Sequence, residues 1–183
     1  AWALARMCPA PVNAGKALLG VKHRSTDVRV AVVAGLGNLA RSSREAADRL
    51  LEACHDTEPE VRRAAAWWLG RVLPDSDQAT NAVVALLTDE NAGVRAEAAE
   101  AIGECHRDRP SSVVDLLIQL LADPDEIVRD RAQRSIHIIG PYDRQLEAIV
   151  GLLHDERMDV RTEVAGNLIS SFGGRLKRAE QGF

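Results

Sequence analysis

Apolar residues in this chain return on a helical beat, and the beat itself returns about every 33 residues. The dipeptide Val-Arg occurs as Val28-Arg29, Val61-Arg62, Val94-Arg95, Val128-Arg129 and Val160-Arg161, so the arginines are separated by 33, 33, 34 and 32 residues. Counting each Val as position zero, position +4 holds Val32, Ala65, Ala98, Ala132 and Val164, and position +8 holds Leu36, Leu69, Ile102, Ile136 and Leu168. With 3.6 residues per turn, positions zero, +4, +8 and +11 form one apolar stripe along an α-helix. Upstream of each Val-Arg lies a second apolar segment, as in LLEAC, VVALL, LLIQLL and IVGLL, ending two residues before an Asp or, once, before His23. Each period is a helix pair.

Helix-stopping chemistry separates the pairs: Pro9 and Pro11, Ser42-Ser43, Pro74, Pro110, Gly140-Pro141 and Gly173-Gly174. Thr57-Glu58-Pro59-Glu60 and Asp123-Pro124-Asp125-Glu126 each offer a capping side chain, a proline in the first turn and a glutamate at N3, which marks the start of a second helix with Thr57 and Asp123 as the caps. A pair of this size cannot bury its apolar face alone, so neighbours must stack into a continuous core. The expected fold is all-α, a right-handed α-solenoid of about five helix pairs within a single domain, 1–183. Repeats fall at about 10–41, 42–73, 74–107, 108–140 and 141–172, with a tail at 173–183. Residues 1–9 form a partial repeat, because Trp2, Leu4 and Met7 match positions +6, +8 and +11 of a second helix whose Val-Arg would precede residue 1. A start inside a repeat implies a fragment of a longer solenoid or multidomain protein.

A pair with Asp near its turn and Val-Arg opening an Ala-rich second helix that ends in Leu-Gly resembles the HEAT repeat, in particular the short bacterial kind called phycobilisome-lyase HEAT-like. The resemblance runs over nearly all of residues 1–172. In that family Asp and Arg six residues apart form a hydrogen-bonded ladder between repeats, which implies Asp56 with Arg62, Asp89 with Arg95, Asp123 with Arg129 and Asp155 with Arg161. The first unit departs, offering His23 with Arg29. A carboxylate at a turn accepts from helix amides and a guanidinium fork can bridge two units, so a structural role follows on physical grounds as well. The bland alternative is that each Asp only caps its helix and each Arg is solvated.

Composition narrows the function. The chain is 46% hydrophobic and 27% charged, with 27 acidic and 23 basic residues and a formal charge of -4. Such a balance lacks the cationic excess that grips a phosphate backbone, which argues against nucleic acid as a partner. No apolar run reaches the roughly 18–20 residues of a membrane span. Cys8, Cys54 and Cys105 are odd in number and show no CxxC spacing, which reads as reduced, buried cysteines in a cytoplasmic protein. The five histidines fall in different columns of the repeat, and no His-Glu pair of the kind a HEAT-like di-iron hydroxylase uses is present, so no metal or cofactor site is expected. No G-x-S-x-G, P-loop or dinucleotide fingerprint occurs, and Gly35-Leu36-Gly37 sits mid-helix where close helix packing explains it. No catalytic residue is assigned.

If the apolar stripe faces the core, positions +3, +6 and +10 share the open side of each second helix. Reading +6 gives Trp2, Ala34, Trp67, Glu100, Arg134 and Gly166, +10 gives Arg6, Asn38, Arg71, Glu104, Ile138 and Ser170, and +3 gives Ala31, Ala64, Glu97, Arg131 and Glu163. Three zones follow: a notch where Trp2 and Trp67 flank Ala31 and Ala34, edged by Arg6, Asn38 and Arg71; an acidic strip of Glu97, Glu100 and Glu104; and a basic strip of Arg131 and Arg134. Exposed aromatics with alternating charge suit protein or peptide recognition, including other domains of the same parent chain. Of the adjacent Trp67 and Trp68, the second sits in an otherwise small column and is expected in the core.

Three functions compete. The first is a non-catalytic interaction scaffold or sensor segment that holds a protein or peptide on the concave face. The second, implied by the resemblance, is a bilin-lyase-like enzyme subunit. The third is a HEAT-like DNA glycosylase or nucleic-acid binder, with Trp67, Arg71 and Glu100 posed as its site.

Overall fold

Polar turn residues and the Ala-rich second helices set the architecture. The computed structural model describes residues 23–72, 75–104, 111–139, 146–162 and 164–166. The eight helices with defined bounds are α1 (Thr26–Leu39), α2 (Arg44–Glu52), α3 (Pro59–Val72), α4 (Asp77–Leu86), α5 (Ala92–Glu104), α6 (Ser111–Leu120), α7 (Glu126–Ile139) and α8 (Leu146–Gly151). Short 3-10 turns extend α2 over Ala53–His55 and α8 over Leu152–His154, and residues 158–162 and 164–166 are helical again. No strand occurs among the described residues. Trp2, Arg6, Cys8, Cys105, Glu163, Ser170 and the expected breaks at Pro9, Pro11, Pro74, Pro110, Gly140-Pro141 and Gly173-Gly174 lie outside them, as do the partial repeat and the tail.

Helix starts are capped by small polar side chains as expected, but neither of the two caps expected from the sequence, Thr57 and Asp123, is the residue that does it. Ser43 accepts from the Ala46 amide at 3.2 Å and Ser76 from the Ala79 amide at 3.3 Å, capping the first helices α2 and α4. Asn91 caps α5 through the Val94 amide at 3.3 Å. At α7 the cap is Asp125 rather than Asp123, since Asp125 Oδ1 accepts from the amides of Ile127 and Val128. Thr57 is exposed, and the amide of Glu58 goes to Asp56 at 2.9 Å instead. Both Asp56 and Asp123 therefore shape the turn one step before the helix, accepting from the amide two residues on.

The second helices α1, α3, α5 and α7 pack on one another in sequence and form the spine of the array. Val61, Ala65 and Leu69, and their equivalents Val94, Ala98 and Ile102, are 0–1% exposed, so the zero, +4 and +8 stripe is the core. Close approach depends on column +9. A Cβ on Gly70 would stand 2.8 Å from the Ala101 Cβ, and one on Gly103 would stand 2.6 Å from Ser135 Oγ. Gly37 lies against the Trp68 ring in the same way. Each +9 glycine thus receives the +7 residue of the next unit as a knob in a hole, and Ser135 Oγ satisfies itself by donating to the Ala99 carbonyl at 2.6 Å.

A ladder of arginine forks ties the units along the turns. Arg29 donates through Nε and Nη2 to both oxygens of Asp56 (2.9 and 3.0 Å), Arg62 to Asp89 (2.7 and 2.8 Å) and Arg95 to Asp123 (2.8 and 2.9 Å). The remaining Nη1 of each arginine donates to two carbonyls of its own turn, for example Arg62 to Asp56 and Thr57. Every fork therefore staples its own turn and grips the next, which rules out solvated arginines as the general arrangement. The ladder varies at its two ends. His23 takes the turn position, its Nδ1 accepting from the Ser25 amide at 3.0 Å as the aspartates do. At the other end Arg129 reaches Asp159 at 2.9 Å, because Asp155 is held by the Arg157 side chain at 3.1 Å.

Candidate functional site

Helices α1, α3 and α5 present their second-helix face as an open cleft of about 640 Å³. Val30, Ala31, Ala34 and Ala64 form its apolar floor, Trp67 and Trp68 a wall, and Thr26, Asp27, Glu60, Arg63 and Glu97 its polar rim. Small side chains at +3 and +6 of α1 leave the space, and the bulky +6 residue of α3 bounds it. The cleft contains Ala31, Ala34 and Trp67 of the expected notch, whereas Trp2 and Arg6 lie outside the described residues. Asn38 and Arg71 do not line it, and Ala31 is buried in the floor rather than displayed. Asn38 is exposed and turns its amide to the Ala34 carbonyl at 3.1 Å.

The tryptophans divide as the columns suggest. Trp67 is 37% exposed, while Trp68 is half-buried and packs against the core. Their rings meet edge to face, with centroids 4.8 Å apart and planes 80° from parallel. The Arg71 guanidinium sits 4.2 Å from the centroid of the Trp67 ring and donates to Glu104 Oε1 at 2.9 Å. Glu104 and Arg71 thus fix the orientation of the exposed indole, one turn along the helix and across to the next.

The acidic and basic strips are not separate zones. Arg71 pairs with Glu104 and Arg131 with Glu100, each across neighbouring second helices, and Arg134 pairs with Asp130 one turn back at 2.9 Å. Residues of one column stand on successive helices, but their long side chains reach the adjacent helix, within column +10 for Arg71 and Glu104 and sideways from +3 to +6 for Arg131 and Glu100, and cancel charge there. Among the described residues Glu97 forms no ion pair, and burial pushes its carboxyl above the usual range, an effect that the charges of Arg131, Arg71 and Arg63 only partly offset. Arg63 and Glu60 escaped the column reading. Their signal was available, since Glu60, Arg63, Ala64 and Trp67 are spaced i, i+3, i+4 and i+7 on one ridge of α3.

Other reactive groups are retired into the fold. Cys54 is free and buried, and burial pushes its thiol up to about 12, which leaves it protonated and unreactive. Among the described residues no group of His, Cys, Asp or Glu is arranged to hold a metal ion, and no helix is long and apolar enough to cross a membrane.

Stacked helix pairs, an alanine and glycine seam and a repeated Asp-Arg ladder define an α-solenoid repeat protein. The HEAT repeats family matches residues 16–103 and 80–169, and the chain belongs to it. It is 36% identical over 100 residues to the phycocyanobilin lyase subunit alpha of Picosynechococcus sp., covering 50% of this chain and 35% of that protein. It is 31% identical over 137 residues to the 26S proteasome non-ATPase regulatory subunit 1 homolog B of Arabidopsis thaliana, covering 67% of this chain and 14% of that one. The chain therefore spans about a third or less of the curated relatives it matches. Two engineered proteins of known crystal structure share the fold, with TM-scores of 0.54 and 0.56 at 23% and 21% identity. The alignments cover 93% and 91% of this chain, and 89% and 88% of the engineered chains.

Proposed function

We propose that this chain is a non-catalytic scaffold or sensor segment that holds a protein or peptide on its second-helix face, at the cleft between α1, α3 and α5. The observation that carries this reading is Trp67: a large indole left exposed, braced by Arg71 and Glu104, beside an alanine-floored cleft. Braced aromatics beside a concave apolar floor are the usual anchors of interfaces, because their contact area is already ordered before binding. Paired arginines at Arg71, Arg131 and Arg134 leave few uncompensated cations on this face, which weighs against a nucleic-acid ligand. A buried free cysteine accords with a reducing, cytoplasmic setting.

The test places a photo-crosslinking residue at Arg63, on the rim of the cleft, or at Gln119, exposed on the first helix α6. The expected result is one dominant crosslinked partner at position 63, lost in the Trp67→Ala background, and none at position 119. Equal crosslinking at both positions, or crosslinking at 63 indifferent to Trp67, would overturn the proposal.

A second reading, a subunit of a bilin lyase, draws on the 36% identity to a phycocyanobilin lyase subunit. Titration with phycocyanobilin separates the two. A red-shifted, saturable absorbance change that Trp67→Ala abolishes would favour the lyase reading, and an unchanged chromophore spectrum favours the scaffold.

A further inference from the structure

The polar rim of the cleft is unbalanced. Asp27, Glu60 and Glu97 supply three carboxylates against the single guanidinium of Arg63, and among the described residues none of the four is held in an ion pair. Elsewhere on this face the charges are matched, Arg71 with Glu104 and Arg131 with Glu100. The imbalance is therefore local to this cleft. Glu97 is half-buried at the α5 side, so its charge faces less water than a surface carboxylate and gains more from a cation brought to it. The floor of Ala31, Ala34 and Ala64 and the wall of Trp67 and Trp68 offer what a long basic side chain needs besides its counter-charge: apolar surface for the methylene stem and an indole for a planar cation. At about 640 Å³ the space exceeds a single side chain and takes a short extended segment.

From this we infer that the cleft recognises an arginine-bearing extended peptide segment, the arginine stem lying on the alanine floor against the tryptophan wall and its guanidinium meeting Glu97. The inference rests on the docking reading above and adds the chemistry of the guest. Arginine is favoured over lysine because its planar fork both stacks on an indole and engages a carboxylate through two bonds. An acidic guest would meet three like charges on the rim and Arg63 alone as a rim cation, since Arg71 and Arg131, whose charges also reach Glu97, are already paired with Glu104 and Glu100. Glu97, raised by burial, also returns toward the ionised form when a cation arrives, so binding is coupled to release of a proton as the pH is lowered toward its titration.

The experiment follows the indole N–H resonances of Trp67 and Trp68 by NMR in the whole chain. Three acetylated heptapeptides serve as probes, Gly-Ser-Arg-Leu-Arg-Ser-Gly and its versions with both arginines replaced by citrulline or by glutamate. The arginine peptide is expected to shift the Trp67 resonance saturably, with the citrulline peptide weaker by about tenfold or more, as loss of a charge-assisted pair implies. Glu97→Gln should weaken the arginine peptide to a similar degree without changing the melting profile enough to unfold the chain. Glu126→Gln, on the exposed start of α7, should leave binding unchanged. Equal binding of the citrulline peptide, preference for the glutamate peptide, no shift with any peptide, or indifference to Glu97→Gln would each overturn the inference. Its failure is separable from failure of the docking reading: a partner crosslinked at position 63 while the arginine peptide is ignored would leave the docking face standing and remove only its charge preference.

Discussion

Replacing Asp89 by Asn tests the ladder at one of its two most enclosed rungs. The Arg62 and Asp89 side chains are 10% and 8% exposed, and two bonds of 2.7 and 2.8 Å join them. Asn keeps the shape but removes the charge and turns one acceptor into a donor facing the guanidinium. The nearest other anion, Glu90, stands 3.7 Å from Arg62 and is 89% exposed, so it compensates little. Arg62 keeps its bonds to the carbonyls of Asp56 and Thr57. Hydrogen bonds to charged groups contribute about 1.5–3 kcal/mol and breaking a buried pair costs about 3–5 kcal/mol, so Asp89→Asn should cost about 3 kcal/mol. The control is Asp130→Asn, whose pair with Arg134 is 43% and 63% exposed and should be worth under about 1 kcal/mol. Urea unfolding at neutral pH measures both. The pH dependence gives a second reading. Burial pushes the Asp89 carboxyl up, but the Arg62 fork, the Asn91 amide and the charges of Arg62 and Arg95 outweigh it, and the net shift is downward. A depressed carboxyl stabilises the fold above its unfolded titration range and loses that contribution as pH falls through the folded one, so this part of the acid loss should vanish in Asp89→Asn. A cost equal to that of Asp130→Asn would refute the claim that the rungs hold the units together.

Three further substitutions, one of them a control, probe the seam and the cleft. Gly70→Ala sets a Cβ 2.8 Å from the Ala101 Cβ and 2.9 Å from its Cα, so overpacking of about 1–3 kcal/mol should outweigh the better helix propensity. Gly151→Ala, with nothing within 4 Å, should instead gain about 0.5–1 kcal/mol, and thermal melting compares the two. Glu97→Gln should raise stability at neutral pH: its folded carboxyl titrates above the unfolded one, so the native state favours the protonated form and the wild type loses stability as pH rises through that window. Below the unfolded range the two proteins should melt alike, and a wild type more stable than the variant at neutral pH would contradict the assignment.

Much of this molecule could be read before its coordinates, and the parts that could not share a cause. The Val-Arg interval and the zero, +4, +8 stripe report burial along one helix, a property local enough for spacing to reveal. That a ladder of Asp and Arg exists was readable because the same two residues recur in register, but the pairing six residues apart was not the one formed. Asp56, Asp89 and Asp123 each take the fork of the preceding unit's arginine and meet their own unit's arginine only through the backbone carbonyl. The last rung was not readable either, since whether Asp155 answers Arg129 or its own neighbour Arg157 depends on competition between two nearby guanidinium groups. The matched pairs Arg71 with Glu104 and Arg131 with Glu100 were misread as opposed strips for a related reason: a column lists residues of one position, while the side chains reach sideways between positions +3, +6 and +10 of adjacent helices. The rim residues Glu60 and Arg63 lay outside the chosen columns although a helical ridge connects them to Trp67.

Because the forks of Arg29, Arg62 and Arg95 each close on their own turn and on the following one, the joint between neighbours is the same at three successive junctions among the described residues. Such a molecule can be lengthened or shortened by whole units without new joints having to be invented, whereas an insertion of a few residues between a turn aspartate and its arginine would pull the two out of phase. Evolution can therefore vary the reach of the array freely while its internal geometry stays strict, leaving the exposed columns as the place where one copy of the unit comes to differ from the next.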